Sequence, residues 1–129
     1  MKINHIAIYT NDLDQLCKFY LQYFGCRCSA KYENTQKGFE SYFLTFDLGP
    51  KIEIMKKDSI ENKHPINGQE KIGFSHLAVS VGSKERVDYL TFRFEQDGLK
   101  IISKPRLTGD GFYESVISDP DGNRIELTI

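Results

Sequence analysis

The sequence predicts an α+β fold: two βαβββ modules, 1–56 and 72–129, forming one cupped domain over 1–129 with a polar linker between them. Two observations carry this prediction. The segment INHIAIYTNDLDQLCKFYLQYFG is echoed by FSHLAVSVGSKERVDYLTFRFEQDG, with His5 and His76 lying 71 positions apart, as do Asp12 and Ser83. Each copy is then followed by three short strand-like runs bounded by turn residues. One helix covers only one face of a sheet. Each module therefore needs a partner for its other face, from the same chain or a second one.

The elements follow in order. In the first module a strand near His5 leads to Asp12, an N-cap residue with Gln15 three positions on, the spacing of a capping box. Leu13, Leu16, Cys17, Tyr20 and Phe24 recur at helical spacing and define one apolar stripe. Gly25 stands where a helix end wants a left-handed residue. Strands are expected over 27–33, 39–47 and 51–56, the last two as a hairpin through DLGPK. The stretch KKDSIENKHPINGQEK reads as an exposed linker, with His64 a surface residue before Pro65. In the second module Ser83 caps a helix whose stripe is Val87, Leu90, Thr91 and Phe94, and Gly98 stops it. Strands over 99–104, 112–118 and 124–128 complete the module, with DPDGN turning the final hairpin.

Composition narrows the function classes. Charge is near balance, 17 Lys and Arg against 18 Asp and Glu, so no nucleic-acid footprint is expected. No apolar run approaches the roughly 20 residues needed to cross a bilayer. The MKINHIAIYT start lacks a signal peptide's apolar region, so the expectation is a cytoplasmic protein without membrane contact. Cys17, Cys26 and Cys28 make an odd count with no CxxC pair. A Cys-x-Cys can take a soft metal, but alternation puts Cys26 and Cys28 on one strand face, and buried reduced thiols are expected.

Four strands carry a ligand-type side chain among aliphatic residues of opposite parity: His5 in NHIAI, Glu53 in KIEIM, His76 in SHLAV and Glu126 in RIELT. Successive strand side chains alternate faces. With Ile6, Ile8, Ile52, Ile54, Leu77, Val79, Ile125 and Leu127 packed under helices, the four polar residues turn to the opposite, concave face. Any one of them alone would ordinarily be structural or exposed. Their recurrence at matching places in a duplicated unit is what points to a metal site. Two imidazoles and two carboxylates suit zinc, nickel, cobalt, iron or manganese, and leave about two octahedral positions for water or substrate. Tyr9, Phe43 and Tyr113 are assigned by parity to the lining of this face, with plain packing as the alternative.

On HIAIYTNDLDQLCKFYLQYFG, SHLAVSV and SDPDGNRIEL, the chain resembles the vicinal oxygen chelate superfamily of glyoxalases, bleomycin-resistance proteins and ring-cleaving dioxygenases. The resemblance covers essentially the whole chain. It implies paired βαβββ modules around a cupped divalent-metal site and, for a small member, a homodimer. Lactoylglutathione lyases of the family are similar in carrying His, Glu, His, Glu, which maps onto His5, Glu53, His76 and Glu126. Fosfomycin-resistance enzymes and extradiol dioxygenases use two His and one Glu, and bleomycin-binding members lack the ligands. Methylmalonyl-CoA epimerases typically have glutamine where Glu53 stands. The implied activity is a metal-dependent lyase or isomerase of the glyoxalase type acting on a small substrate, with zinc or nickel foremost. Glu126 is then the base, and Glu53 a ligand and second base. The alternatives are an epimerase, a dioxygenase or a small-molecule-binding resistance protein. Glutathione-using members usually place arginine four residues after the first histidine, where this chain has Tyr9. Arg106 and Lys104, in KPRLTGDGFYESV, offer another anion contact, or else belong to a solvated loop entering a strand.

Overall fold

The computed structural model describes residues 1–60 and 72–129, so the linker beyond residue 60, His64 included, lies outside the described residues. The chain divides into two compact units, Met1–Lys63 and His64–Ile129. The first contains β1 (His5–Tyr9), α1 (Leu13–Phe24), β2 (Arg27–Cys28), β3 (Tyr32–Asn34), β4 (Phe39–Thr45) and β5 (Lys51–Lys57). The second contains β6 (Leu77–Ser80), α2 (Lys84–Gln96), β7 (Ile101–Leu107), β8 (Tyr113–Ser118) and β9 (Arg124–Thr128). The sheet orders correspond: β1-β5-β4-β2, with β3 also on β4, and β6-β9-β8-β7. In each sheet the strand before the helix runs parallel to the last strand, and the other pairings are antiparallel. The predicted α+β class and the βαβββ order of each module are both present.

Local chemistry explains the helices. Asp12 is extended and its side chain accepts the Gln15 amide at 2.9 Å, which satisfies one orphan donor of the first turn of α1. The helix ends at Gly25 with φ 62°, a left-handed backbone that costs glycine little and a Cβ-bearing residue more. Ser83 plays the Asp12 part in α2, accepting from the Arg86 amide at 3.2 Å.

Each helix covers one sheet face. Leu16 and Tyr20 of α1 pack toward Leu44, Ile52 and Ile54, all at most 4 % exposed. Val87, Leu90 and Phe94 of α2 pack toward Ile117, Ile125 and Leu127, again nearly inaccessible. Each such side chain contributes about 1.5–3 kcal/mol by leaving water. Thr91, buried in the second core, is satisfied: its Oγ1 lies 2.6 Å from Ser115 Oγ and also donates to the Val87 carbonyl.

Three details depart from the sequence reading. The buried arc of α1 is wider than the predicted stripe: Phe19 and Tyr23 are buried and Phe24 only half-buried. The cause is a ring cluster of Phe19, Tyr20, Tyr23 and Phe24, with centroids 5.3–6.0 Å apart in tilted and edge-on arrangements. The strand expected over 27–33 breaks into β2 and β3. Ser29 bridges the gap by exchanging bonds with the Phe43 backbone, its amide donating to the carbonyl and its hydroxyl accepting the N–H. A 3-10 turn at Thr35–Lys37, capped by Asn34, then leads into β4. Finally, β7 runs on to Leu107 through Pro105, past a register shift against β8. It is an edge strand, where proline's missing N–H removes no ladder bond that matters.

Candidate metal centre

The register fixes which side chains share a face. In the first unit Ala7 pairs with Glu53, so His5, two residues from Ala7, stands on the Glu53 face while Ile6, Ile8, Ile52 and Ile54 take the other. His5 Nε2 lies 3.7 Å from Glu53 Oε2. The other ring nitrogen, Nδ1, meets Asn4 Oδ1 at 2.9 Å. With the ring proton on Nδ1, Nε2 presents its lone pair toward the carboxylate, the orientation that metal-binding histidines take from their outer partners.

The second unit repeats the arrangement. Ala78 pairs with Glu126, and His76, just ahead of β6, falls on the same side. His76 Nε2 lies 3.3 Å from Glu126 Oε2, and His76 Nδ1 meets the Ser75 hydroxyl at 3.3 Å. Exposure matches as well: the imidazoles are 40 % and 41 % exposed and both carboxylates 17 %. Two donors each about 2.1 Å from one ion lie about 3.0 Å apart at an octahedral right angle and about 3.4 Å apart at the tetrahedral angle. The His76–Glu126 pair falls inside that span and the His5–Glu53 pair is a few tenths of an ångström wider. The His76–Glu126 pair therefore suits two adjacent positions on a divalent ion, and the His5–Glu53 pair would do so on closing by a few tenths of an ångström. Among the described residues no group of three or more His, Cys, Asp or Glu side chains gathers to hold a metal ion.

The surroundings of the two carboxylates differ. Glu53 has Phe43 directly across on β4, and the Phe43 ring meets His5 edge-on at 5.6 Å. Tyr9 shares the parity of His5 in β1 and is half exposed. Glu126 has Val116 across on β8, and Glu114, two residues before Val116, on the same face. Glu114 is 8 % exposed and ion-paired to Arg106 Nη2 at 3.0 Å. Burial raises the Glu126 carboxyl above its ordinary value, Glu114 adds to the rise, and His76 and Arg106 oppose it. Glu114 was not among the residues expected from the sequence. Only the β8–β9 register reveals its place.

Two expectations are corrected. Tyr113 does not share the Glu126 face. It lies on the side of Ser115 and Ile117, and its hydroxyl donates to Asp88 of α2 at 2.7 Å. In the first unit Tyr42 does the same to Asp14 of α1 at 2.9 Å. Arg106 is on the Glu126 side but engaged, binding Glu114 and donating to Ser103 Oγ at 2.7 Å, and Lys104 Nζ is ion-paired with Glu95 of α2. Neither stands as an open anion contact.

The turn before Glu126 is built from its own side chains. Asp119, 4 % exposed, accepts from the amides of Asp121 at 3.0 Å and Asn123 at 2.8 Å, and from Asn123 Nδ2 at 2.9 Å. Burial raises its carboxyl above the usual value despite these bonds. The thiols are free: Cys17 and Cys26 are buried and Cys28 half-buried. Burial pushes Cys26 up to about 11 and Cys28 up to about 12, so both stay protonated at neutral pH and make poor ligands.

Comparison with known proteins agrees with the fold. A lactoylglutathione lyase of Schizosaccharomyces pombe is 28 % identical over an alignment spanning 98 % of this chain and 46 % of that protein. This chain thus spans less than half the length of that curated relative. The crystal structure of a glyoxalase I variant from Zea mays superposes with TM-score 0.77 at 26 % identity, covering 98 % of this chain and 44 % of that one. A glyoxylase/bleomycin resistance protein/dioxygenase domain from Frankia sp. EAN1pec superposes with TM-score 0.82 at 17 % identity, over 100 % of this chain and 97 % of that one, which shows a shared fold. The family profile matches residues 2–127, and the chain belongs to the Glyoxalase/Bleomycin resistance protein/Dioxygenase superfamily.

Proposed function

We propose that the protein is a metal-dependent lyase or isomerase of the glyoxalase type, working as a cytoplasmic homodimer on a small substrate with vicinal oxygens. His5, Glu53, His76 and Glu126 are its ligand set, the two pairs coming from one chain or from two copies. The observation that supports this reading is the duplicated pairing of an imidazole Nε2 with a carboxylate Oε2, at 3.7 Å and 3.3 Å. When bound, a divalent ion such as zinc or nickel supplies Lewis acidity and open positions for the two substrate oxygens. The protein does the rest. His5 and His76 hold their Nε2 lone pairs toward the carboxylates. Glu126 takes a proton from a substrate carbon and returns it to the neighbouring carbon. Glu53 stays as a ligand beside the Phe43 and His5 rings. The raised Glu126 carboxyl suits this part, because a base closer to neutral pH holds and releases the proton more readily.

Metal titration by calorimetry, followed by an assay of methylglyoxal plus glutathione, tests the reading. Stoichiometric binding of zinc or nickel and thioester formation are expected. A protein that takes up no divalent metal is instead a small-molecule binder. Loading with redox-active iron and oxygen uptake would mark a dioxygenase, and racemisation without thioester formation an epimerase.

A further inference from the structure

We propose that Glu114, anchored by Arg106, is a positioning residue that fixes the place of the Glu126 carboxyl beside His76. The inference rests on the catalytic reading of Glu126 given above. It starts from the register: β8 puts Val116 across from Glu126 and Glu114 across from Thr128, so Glu114 and Glu126 are diagonal neighbours on one face. Side chains of glutamate length bridge that diagonal.

An acidic side chain only 8 % exposed needs a fixed partner. Glu114 has one in its cross-strand neighbour Arg106, whose Nη2 lies 3.0 Å from Glu114 Oε1. The guanidinium is itself pinned, since Nη1 donates to Ser103 Oγ at 2.7 Å. The order across the face is therefore Ser103, Arg106, Glu114, Glu126, His76. Glu126 sits between an imidazole 3.3 Å away and a carboxyl that cannot swing aside. A carboxylate Glu126 is turned toward His76 by the like charge of Glu114. At the matching place in the first unit, two residues before Phe43 and diagonal to Glu53, stands the uncharged Ser41. The positioning pair thus serves one carboxylate of the two.

Glu114→Gln, which keeps the shape and removes the charge, is the central test, with Glu114→Leu beside it. In the metal-loaded enzyme, kcat is expected to fall about tenfold or more with KM nearly unchanged, as misplacement of a reacting group produces. The acid limb of the kcat pH profile should shift, and Leu should be more damaging than Gln. An unchanged kcat and pH profile overturns the proposal. An independent arm uses the metal-free protein: the carboxyl carbon resonance of Glu126, followed by NMR, should move in both variants while that of Glu53 stays. A Glu126 resonance that ignores both substitutions overturns the proposal whether or not the protein has glyoxalase activity. Loss of the proposed function would appear separately, as wild-type protein that binds no metal.

Discussion

The two units share a skeleton and differ in what flanks it. Both have the same strand order, a capped helix over one sheet face, a tyrosine hydroxyl donated to a helix aspartate, and a His–Glu pair on the other face. Beside Glu53 stand Phe43 and the Lys51 ammonium, 5.7 Å from the Phe43 ring. Beside Glu126 stand Glu114 and Arg106. Duplication has preserved what holds a donor pair and has let the neighbours diverge. The difference teaches that two chemically identical carboxylates can be given unequal work by the strand next door.

The sharpest way to break this comparison is to neutralise each carboxylate in turn. Glu126→Gln should lower kcat by at least about 10²-fold at saturating metal, the contribution of a positioned general base. Glu53→Gln should act more through metal affinity than through kcat. Steady-state kinetics with loading measured in parallel would decide, and a larger kcat loss for Glu53→Gln would reverse the assignment. Next in size is the core, where the units should respond alike. Ile54→Ala and Leu127→Ala, at 0 % exposure each, should each cost about 2–5 kcal/mol in urea unfolding.

The hairpin turns should then respond unequally. Asp119→Ala removes an acceptor of three bonds and should cost about 1–2 kcal/mol. Asp47→Ala, in the matching turn of the first unit, removes a side chain 94 % exposed and should change stability by less than about 0.5 kcal/mol. The Asp119 carboxyl is raised by burial, so the native state holds its proton more tightly than the unfolded chain. Stability gained from the protonated form is present at low pH and lost as pH rises through the raised value. Asp119→Asn lacks that loss, so its urea midpoint relative to wild type should improve between about pH 4 and pH 7. The caps should respond alike: Asp12→Ala and Ser83→Ala should each lower stability by about 1 kcal/mol, equally within error, by thermal melting.

Much of this molecule is written in alternation. His5, Glu53, His76 and Glu126 could be placed on a face because each stands next to aliphatic residues of opposite parity that choose the other one. Tyr113 was misplaced because YESVIS offers no such bracket: Val116 and Ile117 are adjacent, so both parities read as apolar. The deciding contact, Thr91 to Ser115, needs the folded helix. Glu114 was illegible for a related reason, since its meaning depends on which β9 residue it faces, and pairing register leaves no trace in one strand's own sequence. The break at Ser29 was hidden likewise, because its bonds run to Phe43 in a strand 14 positions away.

The Asp119 clamp carries one more consequence. It seizes Asn123, three positions before Glu126, through both backbone and side chain. An insertion or deletion of a single residue in DPDGN would advance β9 by one step against β8 and exchange inward for outward along its length. Leucine and isoleucine would then meet solvent, while a glutamate was thrust beneath α2. Among the described loops of this chain, the turn at residues 119–123, clamped by three bonds to the Asp119 side chain, should therefore be the least tolerant of any change in length.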